Sequence, residues 1–168
     1  MRPLVAITVL VVSLCARRAF AEASLCRKSE KTAFSCAIKD KPKTISVCFV
    51  KKKGSAGYVK YRFGAPGKIE LEFPVDYPEA DGNNFSIFHY EEDMNRNFVQ
   101  SLSFAVGDDP KKATTYAVFA GLRPIETPEP RSFAGVRVLE GSSTHDLTCR
   151  VAPTNHLDEV KLFLSAPH

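Results

Sequence analysis

The sequence predicts an all-β protein: a single antiparallel meander, closed as a barrel or folded as a sandwich, with two disulfides. Three observations predict it. Apolar and polar residues alternate with period two over much of the chain after Phe34. Clusters of Gly, Pro, Asn and Asp interrupt that alternation at short, regular intervals. Twelve Phe and no Trp supply bulk for one face of each strand, and no convincing amphipathic helix competes.

Taken in order, the chain opens on Arg2, an apolar stretch from Leu4 to Val12 that continues to Ala16, and Ala19-Phe20-Ala21 before Glu22. That is the layout of a secretory signal peptide over residues 1–21 with an A-x-A cleavage site. Lipidation at Cys15 is disfavoured, since Leu14 stands where a small residue is usual and Arg17 and Arg18 follow. The stretch is shorter than the roughly 20 apolar residues that span a bilayer, and no later segment approaches that length. Residues 22–168 are therefore expected to form one soluble β domain in the periplasm or outside the cell. Three of the arginines leave with the signal and no acid does, so the basic balance of the whole chain falls almost to neutrality. What persists is asymmetry: residues 22–74 are mainly basic and residues 75–168 mainly acidic, which fits two solvated faces or steering of a charged partner.

Four cysteines remain after export, an even number that implies two disulfides in an oxidising compartment. Cys36 and Cys48 lie equidistant from Pro42, within segments flanking Asp40-Lys41-Pro42-Lys43. A three-residue hairpin would set them opposite each other, leaving Cys26 to pair with Cys149. Further on, Val59, Tyr61 and Phe63 alternate with Lys60 and Arg62; Gly64-Ala65-Pro66-Gly67 then leads into Ile69, Leu71 and Phe73. These read as a hairpin with one buried face. Further strands are expected at 85–90, 98–106, 114–122, 133–139, 146–151 and 160–164.

The residues that could carry chemistry form no catalytic, cofactor or metal site. His145 has Asp146 beside it and Ser143 near, but adjacent strand residues face opposite sides, so no triad follows. Glu91, Glu92 and Asp93 are acidic without the spacing of a calcium loop. No C-x₂-C pair or nearby His supports a zinc site. The glycines at 54, 57, 64 and 67 precede no helix that could present amides to a phosphate. Two surfaces are candidates for partners. Lys51, Lys52 and Lys53, with Lys39, Lys41 and Lys43, would gather at one end of the first hairpin and meet phosphate, lipid headgroups or an acidic protein, or simply protect a strand edge. The proline-stiffened segment from Leu122 to Arg131 presents Arg123, Glu126, Glu129 and Arg131 as a preorganised recognition loop.

Phe34-Ser35-Cys36, Ile45-Ser46-Val47-Cys48, Tyr58-Val59-Lys60-Tyr61-Arg62-Phe63-Gly64, Gly67-Lys68-Ile69-Glu70-Leu71-Glu72-Phe73-Pro74 and the late Leu147-Thr148-Cys149 together carry a resemblance. The pattern resembles an uncharacterised family of small exported proteobacterial proteins, well over residues 26–74 and loosely over 114–149, with a departure in the Pro-rich segment. The resemblance implies a periplasmic all-β protein and brings no catalytic residue. The functional expectations are therefore ordered as a protein-binding inhibitor or immunity-type factor, then an envelope module for anionic glycan or lipid, then a hydrolase. No nucleic acid is expected as a partner.

Overall fold

The computed structural model describes residues 24–52, 55–76, 85, 90–92, 98–109, 112–123 and 132–164. The expected signal segment lies outside the described residues. Strands β1 (Lys31–Ala37), β2 (Thr44–Lys52), β3 (Ser55–Ala65) and β4 (Lys68–Phe73) form one antiparallel sheet in sequence order. Strands β5 (Tyr90–Glu92), β6 (Phe98–Val106), β7 (Thr114–Leu122), β8 (Ser132–Glu140) and β9 (Ser143–Thr148) form a second. The chain then crosses back, and β10 (Thr154–Asn155) joins the first sheet beside β1. The protein is thus mostly β, a meander within each of two open sheets, and no closed barrel exists among the described residues.

Period-two alternation explains how the sheets meet. Phe34, Val47, Tyr61 and Phe73 are successive register partners on one face of the first sheet, and Leu102, Val118, Val136 and Leu147 are partners on one face of the second. These faces share one core. Phe104 sits at its centre, with ring centroids 4.8 Å from Tyr61, 4.6 Å from Phe73, 5.5 Å from Phe85 and 5.2 Å from Tyr116. Each such aromatic pair adds about 0.5–1.5 kcal/mol beyond its area burial. Burial, with Tyr116 next to it, pushes the Tyr61 phenol well above its ordinary pKa.

The expected β3–β4 hairpin is present, with Pro66-Gly67 as its two-residue turn and Gly67 at φ 80°. A register shift falls between Phe63 and Gly64, where a Cβ would meet the Lys68 carbonyl oxygen at 2.3 Å. Only glycine fits that bulge.

Two expectations are corrected. The segment expected as a strand at 160–164 belongs to helix α1 (Leu157–Leu164). Leu157 and Val160, three apart, are both buried, the Leu157 amide donates to Asn155 Oδ1, and Asp158 and Glu159 occupy the first turn. Helical spacing and an acidic, capped start outweigh the alternation read there.

The disulfides are Cys26–Cys48 and Cys36–Cys149, not Cys36–Cys48 and Cys26–Cys149. The β1–β2 turn is centred on Asp40 and Lys41 rather than Pro42, because Asp40 takes a left-handed conformation (φ 58°) and the Ile38 amide donates to Lys43 O. Cys36 therefore faces Ile45, and a bulge between Thr32 and Phe34 sets Cys48 against Thr32. Ile45 and Cys48 are an odd number of positions apart, so Cys36 and Cys48 occupy opposite faces and cannot pair. Cys36, on the core face, instead ties the first sheet to the end of β9, where Ile38 bridges Cys149.

Candidate binding site

The outer face of the second sheet carries a cavity of about 630 Å³. Strand parity builds it. Tyr116, Val118 and Ala120 face the core, so Phe119 faces out; Ala134, Val136 and Val138 face the core, so Phe133, Gly135 and Arg137 face out. Gly135 lies between Phe119 and Thr148 in the register, and a Cβ there would meet Leu147 O at 2.2 Å and the Phe119 ring at 3.1 Å. Its absence lets the ring and β9 close over β8. The crossover 149–153 forms the opposite wall and is fixed by backbone bonds from Cys149 to Ala134, from Arg150 to Ala37 and from Lys39 to Thr148.

Among the described residues four cations line this cavity, Lys39, Arg123, Arg137 and Arg150, against one acid, Asp146. The Arg123 guanidinium lies 4.5 Å from the Phe133 centroid and that of Arg137 lies 6.0 Å from Phe119. Both cations lie over ring faces within cation–π range, Arg123 the closer of the two. Arg137 also grips Asp146 through two hydrogen bonds of 2.9 Å, which hold the Asp146 carboxyl below the usual carboxylate range. The net positive charge over an aromatic floor suits an anionic group set against an apolar surface.

A second charged cluster is structural in its geometry. Residues 24–30 run across the outer face of the first sheet, held by the Cys26–Cys48 disulfide, the Leu25 amide donating to Ser46 Oγ at 3.0 Å, and a Ser24–Thr32 hydroxyl bond. Beneath lie Lys60 and Arg62, 0% and 1% exposed. Arg62 donates twice to Glu30, at 2.5 and 2.9 Å, and through Nε to Glu72 at 2.7 Å. Lys60 Nζ donates to Glu72 and to the carbonyls of Pro74 and Val75. Burial pushes the Glu30 carboxyl up, but hydrogen bonds from Arg62, the Arg27 amide and Tyr58, with the Arg62 charge, outweigh it and hold it below its ordinary value. Burial likewise raises Glu72, and Arg62 and Lys60 more than reverse the effect. Among the described residues no buried side-chain nitrogen or oxygen lacks a hydrogen-bond partner, so this cluster braces the sheet. Glu30 also lies near the Cys26 and Cys48 sulfurs, but both are consumed in the disulfide and are not thiolate ligands.

The structure separates the lysines grouped from the sequence. Lys39, Lys41 and Lys43 flank the β1–β2 turn, whereas Lys51 and Lys52 stand at the far end of β2, about 25 Å away at 3.3 Å per residue. Lys53 lies outside the described residues, as do Glu126, Glu129 and Arg131; among the candidate loop residues Arg123 is placed, at the cavity. His145 and Asp146 do face opposite sides of β9, and Asp146 is engaged by Arg137. Phe119, Phe133, Arg137 and Arg150 were missed as site residues, although parity in 114–122 and 132–140 already places the first three outside. No family model, no curated protein and no solved structure matches the chain.

Proposed function

We propose that the protein is an exported, non-catalytic β-sandwich binding module of the cell envelope, whose ligand presents an anionic group to Lys39, Arg123, Arg137 and Arg150. The observation that carries this reading is the convergence of four cations and one acid around a concave site floored by two aromatic rings. Export rests on the layout of residues 1–21 and on the pairing of all four later cysteines. Titration with inorganic phosphate and small phosphate esters by calorimetry tests it. Binding should weaken steeply with salt, and Arg150→Glu, an exposed substitution, should weaken it at least tenfold. Equal affinity of wild type and Arg150→Glu would overturn this siting.

A protein partner, as for an inhibitor or immunity-type factor, is the second reading. It is favoured by the position of Arg123 at the cavity, where the Pro-rich segment begins. A partner docking there would be displaced by phosphate esters and lost in Arg123→Glu.

A further inference from the structure

Beside the cationic cavity lies a second one of about 330 Å³, at the start of β6, the end of β7 and the start of β8, where Pro153 and Asn155 complete its wall. The two share the walls formed by Phe133 and by Ala152-Pro153. They differ in chemistry. Among the described residues the second is lined chiefly by apolar side chains and includes no charged one, with Val99, Ala120 and Leu122 on the sheet side. Two large apolar side chains that stay exposed stand at these cavities, Leu122 at the smaller and Val151 at the larger, 45% and 58% exposed. Leu122, exposed beside this apolar lining, adds surface that an alkyl group would cover.

We infer that the ligand of the proposed anion site is a single-chain anionic amphiphile, with its phosphate or carboxylate head at the arginines and its alkyl chain in the smaller cavity. This rests on the reading of the cationic cavity as a binding site and adds the class of molecule it takes. The commitment to an alkyl chain follows from charge complementarity on one side of Phe133 and the uncharged lining on the other. A wholly polar glycan would leave the second cavity and its apolar rim unused. The cavity is concave and partly open, so a single alkyl chain can enter it from solution.

The test is a series of n-alkyl phosphates from ethyl to decyl, each below its micelle concentration, titrated into the oxidised protein. Affinity should rise by about threefold to fourfold per methylene, the gain from burying each CH₂, and then level off once the chain outgrows the cavity. Val99→Gln, which puts a polar amide in the apolar cavity without adding charge beside the arginines, should flatten the series. Leu122→Glu, at the exposed rim, should flatten it too and perturbs the fold least. A series flat in the wild type, with ethyl phosphate still bound, overturns the amphiphile and leaves the anion site standing. No binding of any member removes both. A dimer of the ligand-free protein that Leu122→Glu dissociates would assign the cavity to a second copy and overturn the inference.

Discussion

Replacing Glu30 by Ala removes the acceptor of two Arg62 hydrogen bonds, of the Tyr58 hydroxyl and of the Arg27 amide in one change. Arg62 stays buried, 1% exposed, with Glu72 as its remaining carboxylate and Leu25 O at 3.4 Å as its remaining carbonyl partner in this cluster. Breaking a buried ion pair from one side costs about 3–5 kcal/mol; retention of Glu72 places this case near the lower end, about 3 kcal/mol. Domains of this size are stable by about 5–15 kcal/mol, so the loss is a large fraction. With a urea slope of about 1–3 kcal/mol/M, the midpoint should fall by about 1–3 M. The assay is equilibrium urea unfolding of the oxidised protein, with both disulfides verified. The companion variant is Glu30→Leu with Arg62→Met. Removing both charges together should recover most of the stability, since a buried pair replaced by apolar groups of similar volume is near neutral. A Glu30→Ala midpoint within about 0.3 M of wild type would refute the reasoning, because it would mean that water already reaches Arg62 beneath the segment 24–30.

Further outcomes follow from the same structure. Glu30 and Glu72 are held below their unfolded value of about 4.5, so their stabilisation is complete above that pH and is lost as pH falls through their folded values. Urea midpoints should be level from about pH 7 to 5 and drop below about 4.5, with a shallower drop in Glu30→Gln. Non-reducing peptide mapping should recover 26–48 and 36–149 links. Replacing each pair with serines should cost about 3 kcal/mol for the 22-residue separation and about 5 for the 113-residue one in the chain-entropy account, ranked by denaturation. Gly135→Ala drives a Cβ into the Leu147 carbonyl and should destabilise by about 1–3 kcal/mol and weaken phosphate ester binding, read by thermal unfolding and calorimetry.

The strands were legible where local pattern and local structure coincide. The intervals 98–106 and 114–122 appear in the structure at the bounds that alternation sets, and the Pro66-Gly67 turn falls where its residues require it. The last apolar stretch was misread because Val160, Leu162 and Leu164 fit a strand as well as a helix over so few residues, and burial of Leu157 with Val160 decided between them. The candidate site was legible only in part. Parity in 132–140 already puts Phe133 and Arg137 on the face opposite Val136, yet a count of Phe treats every ring as core.

By itself the sequence determined the class of fold, the strand positions that alternate cleanly, and an even set of cysteines available for two bridges, because each depends on residues close along the chain. Tertiary structure alone decided the partners across the sheets. A turn centred on Asp40 rather than Pro42 moved Cys36 and Cys48 to opposite faces and exchanged both disulfides. The same holds for the cationic cavity. Lys39 and Arg150 sit far from Arg123 and Arg137 in the chain, and only the crossover from β9 to β10, pinned to β1 and β8, brings their charges to one wall.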